Sequence, residues 1–309
     1  MRIIFMGTPR FAVVVLEALV EAGHQVLVVT QCDKAAGRDR RLRHSPVKLA
    51  ALEYRLPVYQ PERIGSPAAL ETLGGFQPEL IVLAAYGQML RANVLKLPPL
   101  GCLNVHPSLL PRYRGPTPIP AAILAGETET GVTVIRMDEG MDTGDILAQR
   151  RLPIAADDTA ESLGEKLARL GASVLLETIP AWARGEIIPM PQDHSLATYT
   201  SLIRKENGRI DWRGDAVDIE RRCRAYHPWP GTCTTWQGRT LKVSPVQAVP
   251  EWRGGGEPGM VFLLGGQVGV VCGRGAVILQ QVQLAGKKAL SGPEFARGQR
   301  GLVGSILGH

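Results

Sequence analysis

The chain has 309 residues, 45% of them hydrophobic, with 35 Lys+Arg against 29 Asp+Glu, a size that suits two domains each able to bury a core. Its first thirty residues alternate short apolar runs with Gly and charge, so neither a cleavable secretion signal nor a bilayer-spanning stretch is expected, and a cytoplasmic enzyme with no membrane contact is the default reading. Five cysteines, odd in number and without a C-x-x-C pair, argue against a disulfide framework and a zinc site, so no metal is expected.

In chain order, "RIIFM" reads as a strand, "GTP" as a turn, and Phe11 to Ala22 as a helix with one apolar face that Gly23 ends. "QVLVVTQ", "ELIVLAAY", "GCLNVH" and "GVTVIRM" are further strands, with helical segments around 46–54, 66–73 and 117–125 between them. Strands that are continuous apolar runs separated by helices predict an α/β domain built on a doubly wound, mostly parallel sheet of Rossmann-like type. A longer helix is predicted near 159–183, with Asp158 and Glu161 at its start.

Near residue 186 the texture changes. "IIPMPQDHSLATYTSL" contains two prolines and no periodicity, which predicts a linker over 187–205 between a domain at 1–186 and one at 206–309. After a short helix near 214–225 come "TCTTW", "TLKVSPVQAV", "GMVFLL", "QVGVVC" and "AVILQQVQL", five strands with Gly-rich turns that describe a small β-barrel or sandwich, and because the segment is also basic a barrel of OB type is expected. Charge divides along the same boundary: residues 1–203 hold 20 Lys+Arg and 21 Asp+Glu, whereas 204–309 hold 15 and 8. A basic final third fits a nucleic-acid partner, and equally a surface whose charge only aids solubility.

The first turn lacks the G-x-G-x-x-G of dinucleotide-binding folds, since only Gly7 stands there. A ligand is therefore expected at the carboxyl ends of the strands, where strand order reverses. On "GCLNVH" the two-residue period of a strand puts Asn104 and His106 on one face. An amide donor and an imidazole suit a developing oxyanion and its proton traffic. Alternatively Asn104 is a strand-end turn residue and His106 a structural histidine, and spacing alone favours this structural reading, because two residues are a weak signal. Asp138, Asp142 and Asp145 in "MDEGMDTGDIL" do not fit a calcium loop; they are turn formers or one of them is a carboxylate for His106. Ser108 lies two residues from His106 but no G-x-S-x-G surrounds it, and nothing marks Cys102 as an activated thiolate, so covalent catalysis is the weaker idea. The arginines of "PSLLPRYRG" sit on a proline-stiffened loop that either grips a planar ligand or is merely solvated. In "DKAAGRDRRLRHSPVK" six cations, Lys34, Arg38, Arg40, Arg41, Arg43 and Lys48, fall within fifteen residues, and phosphate contacts are their natural use.

Taken in order, "IIFMGTPRFA", "AAYGQML", "NVHPSLLPRYRG", "GVTVIRMDEGMDTGDIL", "IRKENGRIDW", "AYHPWPGT" and "LAGKKALSGPEFARG" resemble the methionyl-tRNA formyltransferase family over nearly the whole chain. The first four motifs occur more broadly in folate-dependent formyltransferases and formyl hydrolases. The resemblance implies transfer of the formyl group of 10-formyltetrahydrofolate to the amino group of initiator methionyl-tRNA, by a monomer needing no metal. It also implies a catalytic trio of Asn104, His106 and Asp142 and a tetrahydrofolate-binding segment at Ser108, Leu109, Leu110 and Pro111. Further, it implies tRNA contacts from Arg38, Arg40 and Arg41 on the insertion and from Lys287 and Lys288 on the barrel. Alternatives are a formyl-folate hydrolase, a formyltransferase acting on a small amino sugar, and an RNA-binding protein whose α/β domain is catalytically dead.

Overall fold

The computed structural model describes residues 1–36 and 41–308. Two compact bodies make up the chain. The first comprises Met1–Pro118, Glu129–Pro153 and Gly164–Ser201; the second takes Ile119–Thr128, Ile154–Leu163 and the residues from Leu202 onward.

In chain order the first two-thirds contains β1 (Arg2–Gly7), α1 (Arg10–Glu21), β2 (Gln25–Val29), β3 (Lys34–Ala36), β4 (Arg41–Arg43), α2 (Pro46–Glu53), β5 (Val58–Tyr59), α3 (Pro67–Gly75), β6 (Leu80–Ala84), α4 (Ala92–Leu95), β7 (Cys102–His106), α5 (Pro118–Ala125), β8 (Glu129–Arg136), β9 (Asp145–Pro153) and α6 (Ala160–Ala183). Seven strands form one sheet in the order β5-β2-β1-β6-β7-β8-β9. The strands from β5 to β7 run parallel; β8 and β9 are antiparallel additions at one edge. Ile3, Ile4, Phe5 and Met6 of β1 are all fully buried, because helices cover both faces, and this is why the strand reads as an unbroken apolar run. One face packs Ile4, Met6, Leu27, Val29, Ile81 and Leu83 against Leu73 of α3 and Val94 of α4. Strand order reverses between β1 and β6, so the crevice of this doubly wound sheet opens at their carboxyl ends. Gly7 closes β1 because a Cβ there would come within 2.6 Å of the Ala12 side chain on α1.

Several elements were not legible beforehand, among them β9 and the β3–β4 hairpin. β9 is hidden by its sequence, "DILAQRRLP", which is exposed along much of its length and carries charge. The β3–β4 hairpin pairs Lys34 with Arg43 and Ala36 with Arg41, inside a stretch expected as a loop. The stretch 187–205, read as a linker, is bonded in part to the first body: Met190 bridges Ile146, and Arg114 pairs with Tyr199.

The second body carries α7 (Ala216–Ala225), β10 (Cys233–Trp236), β11 (Arg239–Val243), β12 (Val246–Val249), β13 (Val261–Leu264), β14 (Gln267–Val271), β15 (Ala276–Leu279), β16 (Gln281–Leu284), β17 (Leu290–Ser291) and α8 (Gly292–Gly298). Two antiparallel four-stranded sheets, β10-β11-β16-β17 and β12-β15-β14-β13, share one core. Two of the five runs seen in the sequence serve both sheets. "TLKVSPVQAV" breaks into β11 and β12 at Ser244–Pro245, where proline has no N–H for the ladder, and "AVILQQVQL" breaks into β15 and β16 at Gln280. The two corners meet, since the backbone N–H of Gln280 donates to Pro245 O at 3.2 Å. Leu241, Val243, Val282 and Leu284 from one sheet then face Val261, Val268, Val277 and Leu279 from the other, the small-barrel arrangement expected. Trp236 and Phe295 close the core edge to face, with ring centroids 5.6 Å apart.

Candidate active site

β7 ends beside the reversal point of the sheet, and its pleat directs Asn104 and His106 to the same side. Asn104 Nδ2 donates to Asp142 Oδ1 at 3.2 Å, and His106 Nδ1 stands 3.6 Å from the same oxygen. The other carboxylate oxygen, Oδ2, accepts the Gly115 backbone N–H at 2.8 Å. Three groups that are 2 and 36 residues apart in sequence thus converge on one corner.

The imidazole is oriented from behind. His106 Nε2 lies 3.0 Å from Tyr113 O, and a carbonyl can only accept, so Nε2 carries the proton. Nδ1 is therefore the nitrogen that faces Asp142, at ion-pair distance and too far for a direct hydrogen bond. His106 is buried and Asn104 half-buried. Asp142 adopts a left-handed backbone, φ 54°, which Asp tolerates better than most residues.

The "DEGMDTGD" stretch divides its carboxylates. Asp138 Oδ1 accepts Gly140 N at 3.0 Å and Thr143 Oγ1 at 2.6 Å, which is turn chemistry; Asp145 opens β9; only Asp142 turns to His106. Asp138 thus makes the turn, and Asp142 is the carboxylate that stands beside His106.

In the "PSLLPRYRG" loop the side chains of Ser108 and Leu110 point into the protein. Ser108 is fully buried, its hydroxyl donating to Arg112 O at 2.7 Å, and its carbonyl accepts from Thr133 Oγ1 at 2.7 Å. Leu110 packs with Ile135 and Ile146, while Gln149 Nε2 donates to its carbonyl at 3.0 Å. These bonds set the loop's shape; Leu109 and Pro111 are half-buried. The loop's two arginines differ: Arg112 is exposed, as a solvated residue would be, whereas Arg114 is 1% exposed. Tyr86, just beyond β6, is also buried, and no described residue satisfies its hydroxyl, whose ionisation burial pushes well above the ordinary phenol range.

Cys102 is not a nucleophile: burial pushes its thiol up to about 12. Among the described residues no cluster of three or more His, Cys, Asp or Glu could hold a metal, and no helix is long and apolar enough to cross a membrane.

The basic insertion is anchored at its base. Asp33 accepts from Lys48 Nζ at 2.6 Å and Gln60 Nε2 at 2.9 Å and meets His44 Nδ1 at 2.8 Å; the Lys48 bond and then the Gln60 bond hold its carboxyl down at about 2. Lys48 is thereby paired with Asp33. Arg38 and Arg40, and the side chain of Arg41, lie outside the described residues. Lys287 and Lys288 are exposed on the turn between β16 and β17.

Sequence reasoning missed Gln192. Its amide donates to Asp142 O at 2.8 Å and Gly144 O at 2.7 Å, from a segment read as a linker. Two prolines and the lack of periodicity masked it, and no local signal could have pointed across fifty residues to Asp142.

The family model described as "Formyl transferase" matches residues 1–179, and "Formyl transferase, C-terminal domain" matches residues 202–300. A methionyl-tRNA formyltransferase of Chloroflexus aurantiacus is 51% identical over 96% of this chain and 97% of its own length. Among solved structures, HypX from Aquifex aeolicus in complex with tetrahydrofolic acid is 22% identical with a TM-score of 0.66 over 99% of this chain, which spans about half of HypX, 48%. An N-formyltransferase from Helicobacter canadensis, in complex with folinic acid and dTDP-3-aminofucose, is 20% identical with a TM-score of 0.67 over 90% of this chain and 98% of its own.

Proposed function

The chain belongs to the formyl transferase family and formylates methionyl-tRNA, and from that premise we propose that Asn104, His106 and Asp142 carry out the transfer, with 10-formyltetrahydrofolate as donor and the initiator tRNA as acceptor. The observation that carries the reading is the convergence of amide, imidazole and carboxylate within 3.2 and 3.6 Å at the end of β7.

Direct transfer suits these groups. When the neutral amine attacks the formyl carbon, negative charge grows on the formyl oxygen. Asn104 gives one N–H to Asp142 and keeps a second to aim at that oxygen, a kind of donor worth about 2.7–4 kcal/mol when removed from an acyl-transfer site. His106, with its Nε2 proton held by Tyr113 O, has Nδ1 as its working nitrogen: it takes, directly or through one water, the proton that the amine loses as the C–N bond forms, and can then donate to the oxyanion while Asp142 balances the imidazolium. That proton leaves with the tetrahydrofolate nitrogen when the old C–N bond breaks, which returns His106 to its neutral form.

The donor fits the crevice at the ends of β1 and β6. The 108–111 segment would shape one wall, chiefly through Leu109 and Pro111. The insertion with Arg38, Arg40 and Arg41 and the exposed Lys287 and Lys288 would supply phosphate contacts to tRNA. In this reading the division of labour follows the domains, with 1–186 catalytic, 187–205 joining and 206–309 holding tRNA, in a cytoplasmic monomer.

The test is an assay of purified protein with 10-formyltetrahydrofolate and methionyl-tRNA, followed for formylmethionine, with His106→Ala and Asp142→Asn as controls. Each substitution should lower kcat by about 10²–10⁴-fold. Near-normal turnover in either removes that residue from the mechanism.

A further inference from the structure

Arg114 poses a physical problem that the transfer mechanism does not address. A guanidinium is always charged, and this one is 1% exposed. Its acceptors are Gln192 Oε1, at 3.2 Å from Nε and 2.7 Å from Nη2, the Tyr199 hydroxyl at 3.1 Å and His194 Nδ1 at 3.1 Å. All are uncharged acceptors, and among the described residues no carboxylate pairs with it. A buried charge without a counter-charge is costly, so its retention calls for a purpose other than stability.

Gln192 connects that charge to Asp142. Arginine only donates and a carbonyl only accepts, so the orientation of the Gln192 amide is fixed by its neighbours. Its oxygen takes two bonds from Arg114, and its two N–H groups go to the carbonyls of Asp142 and Gly144. No hydrogen-bonding capacity of the amide is left over. The two carbonyls flank the turn in which Asp142 takes its left-handed φ of 54°. The next residue after Arg114 completes the clamp: Gly115 N holds the Asp142 carboxylate at 2.8 Å, and at φ 105° a Cβ on Gly115 would come 2.9 Å from Thr200 O. Backbone bonds from Arg114 N to Thr198 O and from Thr200 N to Arg114 O, both 2.8 Å, tie the 198–200 stretch to the same strand of contacts.

We infer that Arg114 and Gln192 are positioning residues for formyl transfer: they lock the main chain of Asp142 so that its carboxylate stays on Asn104 and His106, and the 190–200 stretch is part of the catalytic apparatus. The inference rests on the reading of Asp142 as a catalytic group. Neither residue touches a reacting atom, and their effect passes through Asp142 alone.

Gln192→Glu separates the two halves of the clamp. The new carboxylate still accepts from Arg114, so the buried cation keeps a partner, but it has no N–H for the carbonyls of Asp142 and Gly144. Its kcat should fall about 10²-fold, the scale for a catalytic group displaced by roughly an ångström, with KM for methionyl-tRNA and for 10-formyltetrahydrofolate changed less than about twofold. A second readout needs no substrate: in protein labelled with ¹⁵N-histidine, the His106 ring resonances should move in Gln192→Glu as they do in Asp142→Asn. Should wild-type protein fail to formylate methionyl-tRNA, the functional reading falls while the ring resonances still report on the clamp. Unmoved resonances with wild-type kcat overturn the inference, and so does a rise in KM at unchanged kcat, which would make 190–200 a binding segment. If Gln192→Glu does not fold, Arg114→Lys, which keeps the charge but cannot span Gln192, Tyr199 and His194 together, carries the same two readouts.

Discussion

At Asp142 both carboxylate oxygens have assigned partners, the backbone is locked in a left-handed turn, and the neighbouring imidazole is held from its far side by Tyr113 O. At Lys287 and Lys288 the side chains stand exposed on a turn, and the Lys287 main chain is tied to Leu284 and Gln283. Under the proposed roles, the contrast teaches what each task requires. Stabilising a charge that develops on one atom needs donors fixed within tenths of an ångström, whereas attracting a polyanion needs only mobile charge at the surface.

The comparison can be broken at either end, and the largest expected effects are at the fixed corner. His106→Ala and Asp142→Asn should cost about 10²–10⁴-fold in kcat while the salt dependence of tRNA binding stays as in wild type. Gln192→Glu should lie next, near 10²-fold in kcat, because it loosens the same corner without removing a reacting group. At the exposed end, Lys287→Glu with Lys288→Glu should raise KM for methionyl-tRNA several-fold and flatten its dependence on salt by about one logarithmic unit per lost phosphate contact, with kcat at saturating tRNA unchanged. A fall in kcat with KM unaltered would mean that those lysines act on the chemistry.

Two smaller effects sharpen the same contrast. Asp33 anchors the insertion, and its folded carboxyl is held at about 2 against about 3.9 unfolded. A depressed carboxyl stabilises the fold above the unfolded value and loses that contribution as pH falls to the folded one. The stability difference between wild type and Asp33→Asn, followed by denaturant melts, should therefore be present above pH 4, close between about pH 4 and 2, and shrink with added salt. Thiol labelling should be the mildest probe. Cys102, Cys223 and Cys272 are buried, with thiols pushed up to about 12, 11 and 12, and should resist reagent at pH 8, while half-buried Cys32 and Cys233 react first. Fast labelling of Cys102 would mean that the β7 end opens to solvent.

The sequence by itself determined the fold class, since buried parallel strands must be apolar throughout and the period of their helices is local. It also placed Asn104 and His106 on one face, because the pleat of a strand is a local property. Local rules could not choose among Asp138, Asp142 and Asp145, all compatible with a turn; the choice was made by Gly115 N and Asn104, which reach Asp142 across 27 and 38 residues. The same limit hid β9, whose exposed and charged residues lack an apolar run, and it made 187–205 read as a linker although Gln192 grips the Asp142 turn. Only tertiary structure could decide that Arg114 is buried. A hydrogen bond between side chains depends on where the chain returns in space, and no pattern within a window of neighbours records that return.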